Sequence, residues 1–182
     1  LGLHIIAREV IFVDLSLAQM AALGSTVAIF AGSEPGSTMS YVYALGFTTI
    51  GAALFALTRT HEKGRVPQEA IIGIVYVVAS AAAILVANRV PRGGEAITDI
   101  LVGSLLWVTW PAILKMAGVY ALLGVFHVVL RKRFLTISFE PEKALADGWS
   151  IRWWDFWFYL SFGVVITLSV PIAGVLLVFS FL

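Results

Sequence analysis

Cysteine is absent from this chain of 182 residues, which excludes disulfides and thiolate metal ligands together. Charge is scarce too: 12 Lys and Arg with 11 Asp and Glu amount to 13% of the residues, against 60% hydrophobic and a mean hydropathy of +0.95. Soluble domains carry about 25% charged and about 45–50% apolar residues. A water-soluble fold of this length cannot hide so much apolar surface, and a disordered chain needs the opposite balance. The net charge is only +1, and the one dense basic cluster is Arg131, Lys132 and Arg133. That is no footprint for nucleic acid. The sequence also lacks a glycine-rich phosphate loop before a lysine, an HExxH pair and a nucleophile elbow. Any ATP hydrolysis must therefore occur on another polypeptide.

What is present is apolar length. Runs recur at Asp14 to Ala31, Ser40 to Thr58, Ala70 to Asn88, Pro111 to Leu130 and Phe156 to Leu182, each near the ~20 residues that cross a bilayer as a helix. The expected fold is all-α: a polytopic transmembrane helix bundle of about five spans. Short polar breaks separate the runs, among them Gly32 to Ser37 and the charged Arg59 to Pro67. Ile100 to Trp110 is apolar but only about half a span, so an interfacial helix and a broken crossing both remain open. Basic residues favour the cytoplasmic side of short loops. Without a crossing there, Arg8, Arg59, Lys63, Arg65, Arg131, Lys132, Arg133, Lys143 and Arg152 lie inside and Arg89 and Arg92 outside, nine against two. With a crossing the count inverts to four against seven, so five spans are expected. Trp107 and Trp110 then sit in the outer aromatic belt, and Trp149, Trp153, Trp154 and Trp157 in the inner one. Ala79, Ala83 and Ala87 fall on one helix face, where small residues allow close approach.

Between the basic cluster and the last span, Ser138 to Gly148 reads as a short helix. Pro141 suits the first helical position, Glu142 complements the helix dipole, and Gly148 can adopt the left-handed conformation that ends a helix. At about two turns it is marginal alone and must rest on the membrane domain or on a partner. A docking helix and a plain connecting turn both fit.

Five stretches, in order, resemble the permease subunit of bacterial metal ABC transporters, which move zinc, manganese or iron. They are Arg8 to Asp14; Pro67-Gln68-Glu69-Ala70-Ile71-Ile72-Gly73-Ile74-Val75-Tyr76; Gly93-Gly94-Glu95 continued by Leu101 to Trp107; Phe139 to Glu142 with Gly148; and Ile172 to Val178. The resemblance implies a single transmembrane permease domain over 1–182 in the bacterial inner membrane. It implies a second permease copy, a homodimer, around a shared path, with cytoplasmic ATPase subunits beneath and a periplasmic metal-binding protein above. Divalent metal is then the transported substrate, ATP is held by the partner subunit, and no cofactor is bound by this chain. Such permeases carry more spans than this chain holds, and Leu1 is not Met. A fragment, lacking spans at both ends, is therefore expected.

The resemblance also assigns residues. The short helix becomes the coupling helix that sits in a cleft of the ATPase, with Glu140, Pro141, Glu142, Ala144, Leu145 and Gly148 as the contacting set. Many members of the family carry an aspartate and, four residues on, a histidine in the helix matching the first span, supplied by both permease copies to form a central metal site, so the resemblance makes Asp14 and Gln19 the candidate metal residues of the path. Here Asp14 is followed at that spacing by Ala18, and Gln19 aligns with the histidine by its distance from Gly24. At about 100° per residue, Asp14 and Gln19 lie about 140° apart and share no face of a regular helix. Oxygen donors favour transient coordination over a tight zinc site.

Each candidate also has a structural explanation. A carboxylate in a span is costly and points to function, yet Asp14 near the inner end can equally cap the helix or face Arg8. Glu69 follows Pro67 at a helix start, where the dipole favours it regardless of function. His4, His61 and His127 lack partners at ligand spacing and read as anchors or hydrogen-bonding groups. Lys115 can snorkel to the outer interface. Three rivals stand beside metal import: a siderophore or cobalamin permease, an integral-membrane enzyme using Asp14, Glu69 and His127, and a non-transporting assembly subunit.

Overall fold

A computed structural model describes residues 4–5, 10–59, 67–90, 93–175 and 177. In chain order the helices are α1 (Val13–Phe30), α2 (Thr38–Thr58), α3 (Gln68–Ala87), α4 (Gly93–Val102), α5 (Trp110–Val129), α6 (Arg131–Phe139), α7 (Pro141–Ala146) and α8 (Ile151–Ala173). A 3₁₀ turn at Leu105–Trp107 joins α4 to α5. No strand occurs among the described residues. Five helices, α1, α2, α3, α5 and α8, are long and apolar enough to cross a membrane. Arg8, His61, Lys63, Arg65 and Arg92 lie outside the described residues.

The chain wraps around its first span. α1 packs on α2, α3 and α8, and α2 runs along α8. In a bilayer the lipid tails are as apolar as the side chains, so association rests on close van der Waals contact and small residues. Gly24 supplies one such contact: a Cβ there would lie 2.6 Å from the Tyr43 carbonyl oxygen and 2.7 Å from the Ala44 Cα. Backbone meets backbone where α1 crosses α2. Gly163 of α8 makes room instead for the side-chain methyl of Thr48 of α2, whose hydroxyl is shared with Ala44 O at 2.7 Å and Thr167 Oγ1 at 3.1 Å. Ala79, Ala83 and Ala87 are buried along one face of α3, as their spacing predicts, and Ala79 and Ala83 pack with Met20 and Leu23. At the other extreme, α5 buries no residue against the described chain.

Three boundaries differ from expectation for physical reasons. Of the ambiguous stretch Ile100 to Trp110, only Ile100 to Val102 belong to α4, a helix of 10 residues too short to cross at ~1.5 Å per residue, and the 3₁₀ turn follows it. Its end is pinned to α8: Ser104 N donates to Ile172 O at 2.9 Å, and Gly103 lies against Gly174. The last span starts at Ile151 rather than Phe156, because Asp155 is neutralised by Arg59 and no longer interrupts the helix. It is interrupted after Ala173, where Gly174 takes a positive φ of 75° and Pro171 weakens the last turn, and the end of the expected run, 178–182, lies outside the described residues. Finally, the basic cluster opens a separate helix, α6, whose Phe134, Ile137 and Ser138 are buried. That i, i+3, i+4 face was hidden behind three charges.

Candidate functional site

The loops holding Arg59, Arg131 to Arg133 and Lys143 lie at one end of the bundle, here termed inner; the opposite end is the outer one. Each end carries a distinct arrangement.

At the outer end a cavity of about 760 Å³ opens between α1, α2, α4, α5 and α8. Ser25, Ser40, Tyr41, Glu95, Asp99 and Thr109 are among its lining residues. Glu95 and Asp99 stand at i and i+4, hence on one face of α4. Neither was singled out as a site in the sequence, although carboxylates four residues apart on a short helix are a readable signal. Lys115 lies near the same rim, its ammonium 5.0 Å from the centre of the Tyr41 ring.

The inner end is packed. Arg59 Nη1 donates to both carboxylate oxygens of Asp155 at 2.6 Å, with the two side chains 11% and 0% exposed. Gln68 Nε2 donates to Phe55 O at 3.1 Å and to the Tyr159 hydroxyl at 3.0 Å, tying α3 to α2 and α8. Beside them Phe134, fully buried, touches the rings of His127 at 5.0 Å, Phe126 at 5.8 Å, Trp154 at 5.9 Å and Phe158 at 6.1 Å. Of the four expected inner-belt tryptophans, Trp154 thus turns inward, while Trp153 stays largely exposed. His127 Nδ1 bonds Leu123 O at 2.9 Å and its Nε2 lies 3.3 Å from Ser161 Oγ, the hydrogen-bonding role its sequence context favours. His4 Nδ1 lies 2.9 Å from Ser138 Oγ.

Asp14 and Gln19 are both buried in α1, at 2% and 9% exposure. α1 is regular from Val13 to Phe30, so no bulge brings them to one face. Among the described residues no group of three or more His, Asp or Glu side chains is placed to hold an ion. Glu69 does what a carboxylate at a helix end can do, but for another helix: its Oε1 accepts from Phe12 N, the N-cap of α1, at 2.9 Å.

The short helix α7 is closed at both ends. Pro141 occupies the first turn. Gly148 is left-handed at φ 74°, with Trp149 N donating to Ala144 O at 2.9 Å and Gly148 N to Leu145 O at 3.0 Å, the paired bonds of a Schellman cap. Ala144 is wholly buried against Ile137 and Ile151, with Trp149 and Trp154 beside them. It anchors the helix to the bundle and is not available to a partner. Glu140, Glu142 and Leu145 face outward, as does Phe139 just before them.

Comparison with known proteins agrees with this geometry. A relative from Chlamydia pneumoniae, named "Probable metal transport system membrane protein", is 28% identical over 136 residues, covering 73% of this chain and 46% of the relative. The manganese transport system membrane protein MntC of Listeria innocua is 28% identical over 158 residues, 81% of this chain and 54% of that protein. The chain thus spans about half the length of these relatives. Among solved structures, PsaBC from Streptococcus pneumoniae in complex with Fab has the same fold, with a TM-score of 0.75, 18% identity, and coverage of 98% of this chain and 62% of the matched chain. The family model described as the ABC 3 transport family matches residues 1–182, and on that match across its whole length the chain belongs to the ABC 3 transport family.

Proposed function

We propose that this chain is part of the membrane permease of an ATP-driven importer of divalent metal ions, of the zinc or manganese class, in the bacterial inner membrane. The carrying observation is α7: a capped helix on the inner face, fastened by Ala144 and presenting Glu140, Glu142 and Leu145 outward. A two-turn helix gains little stability by itself, so a rigid, capped one between two spans suits a lever gripped from outside. In this reading a cytoplasmic ATPase subunit closes on α7, with Pro141 and Gly148 fixing its two ends. The push passes through Ile137 and Ile151 into α6 and α8.

A periplasmic metal-binding protein delivers the ion to the outer cavity, where Glu95 and Asp99 attract cations. Asp14 and Gln19 line the path beneath as successive contacts, not as one ligand set, and a second permease copy completes it. The substrate passes as an ion and ATP stays on the partner subunit, so this chain needs no cofactor of its own.

One observation favours a second reading. About 760 Å³ is roomy for a bare ion and falls in the ~300–1,000 Å³ range of small-molecule pockets, so a chelated metal of siderophore or cobalamin type is the alternative substrate. Uptake of radiolabelled manganese by cells carrying the complete transporter, with and without a chelator, separates the two. Leu145→Asp is expected to abolish uptake while permease remains in the membrane. Undiminished uptake would overturn the lever assignment.

A further inference from the structure

Where α2 ends and α8 begins, the two spans part around a second, smaller groove of about 310 Å³. Ala53, Ala56 and Leu57 of α2 face Phe156 of α8 across it, and Arg152 and Trp153, both exposed, complete the lining. Two alanines on α2 leave the room. Leu57 stands two residues before Arg59, the C-cap of α2, and Arg152 and Trp153 belong to the first turn of α8. The groove therefore lies at the level where a bilayer passes from acyl chains to headgroups. An aromatic ladder on α8 marks the same level: the rings of Trp153 and Phe156 stack at 6.2 Å, and those of Trp153 and Trp157 meet edge-on at 5.7 Å.

Arg152 sets this groove apart from ordinary lipid-facing surface. Three other inner-end cations are engaged: Arg59 holds Asp155, Lys143 lies beside Glu140, and Arg133 stands 4.7 Å from the centre of the Trp154 ring. Among the described residues Arg152 has no carboxylate at ion-pair distance. Ser150, the N-cap of α8 and also part of the lining, makes no side-chain capping bond, and the first turn of that helix holds no acid. An unpaired guanidinium beside an apolar trough is complementary to a molecule with an anionic head and a hydrocarbon tail. Its length tells against a helix as the occupant. On α2 the groove runs from Ala53 to Leu57, about 6 Å at ~1.5 Å per residue, whereas a helix with its side chains is ~10 Å across.

We propose that this groove binds an anionic phospholipid of the inner leaflet, its phosphate on Arg152 and part of one acyl chain between Ala53, Leu57 and Phe156. The fork of N–H groups on arginine matches phosphate oxygens, and its aliphatic stem is at home along apolar walls. The inference needs the membrane-spanning fold and the sidedness of its loops, not the import reading.

Native mass spectrometry of the complete permease with its ATPase, titrated with phosphatidylglycerol or with phosphatidylcholine of the same chains, reads the site directly. Phosphatidylglycerol should bind in preference. Arg152→Gln is expected to weaken its binding at least about tenfold, as loss of a charge-assisted hydrogen bond does, with the melting temperature in detergent unchanged. Ala53→Leu keeps the charge but fills the trough, and should weaken binding comparably. Arg131→Gln removes an equally exposed base that does not line the groove, and should cost far less. An equal loss in Arg131→Gln would reveal diffuse attraction to a basic surface and overturn the site. Undiminished binding in Ala53→Leu would overturn it too, as expected if another part of the permease or the ATPase fills the groove. Neither result bears on metal uptake, and cells that fail to accumulate metal would leave the lipid site standing.

Discussion

At the inner end Arg59 and Asp155 are locked together out of water, Gln68 bridges three helices, and Phe134 sits among aromatic rings. At the outer end the same spans part around a cavity of about 760 Å³ in which a few hydroxyls and the carboxylates of Glu95 and Asp99 stand among apolar side chains. A single stretch of α1 serves both, meeting α2 backbone to backbone at Gly24 before its outer turns diverge. The difference separates a packed, ion-paired end from an open one. On the proposed import reading, the polar contacts of the packed end are the groups that an ATP-driven lever on α7 would have to part.

Breaking the ion pair should have the largest effect. Arg59→Ala takes the guanidinium away from the buried Asp155 carboxylate, and truncating one member of a buried ion pair costs about 3–5 kcal/mol. Thermal unfolding of the complete permease in detergent should show a loss of many degrees. Replacing both residues by apolar ones of similar size, Arg59→Met with Asp155→Leu, should recover most of it, since a well-packed apolar pair is often as stable as a buried ion pair. Equal losses in the single and double variants would show that packing, not charge, closes the inner end.

The backbone crossing comes next. In Gly24→Val the Cβ alone approaches Tyr43 O to 2.6 Å, and neither backbone can yield without separating α1 from α2. Overpacking of this kind costs about 1–3 kcal/mol. Because the crossing divides the closed end from the open one, accessibility of outer-cavity residues to a thiol reagent, after single cysteines are introduced into this cysteine-free chain, should rise in parallel. A stability loss without any change in accessibility would separate the crossing from the cavity.

At the cavity itself, Glu95→Gln with Asp99→Asn should leave folding intact, as both side chains are exposed. Removing two charges from a concave mouth weakens cation capture through the local potential. A rise of about tenfold in the manganese concentration for half-maximal uptake, on the order of 1.4 kcal/mol, is expected at low salt and should shrink as ionic strength is raised. An effect that ignores salt would point to direct ligation.

Much of the frame was legible in the residues. Span count followed from apolar length and the placement of arginines, the α3 contact face from Ala79, Ala83 and Ala87, and the limits of α7 from Pro141 and Gly148. Each signal is local: a helix period, a cap or a loop charge is written within a few positions. The inner locks are not local. Arg59 and Asp155 are separated by 96 positions, and Glu69 reaches Phe12 across 57. Asp155 reads as one charge in an aromatic run, and Glu69 as the cap of its own helix. Only packing of α3 against α1 makes it the cap of another. The burial of Ala144 was equally hidden, because a small residue on a short helix carries no sign of which face it serves.

The smallest effect is expected at a second inner-end ion pair, which isolates burial as the cause. Lys143 Nζ lies 3.0 Å from Glu140 Oε2, with the side chains 65% and 58% exposed. The hydrogen bond and charge of Glu140 raise the lysine above its ordinary value of 10.5. A raised ammonium contributes stability in full below the unfolded value and loses it only as pH climbs through the higher folded one. Between about pH 5 and pH 9 nothing therefore titrates at this amine, and solvent screens the pair throughout. Lys143→Met should melt with the unaltered protein across that window. Should it instead fall by as much as Arg59→Ala, exclusion from water would not be what distinguishes the two pairs, and the inner closure would have to be assigned to the loop that carries α7.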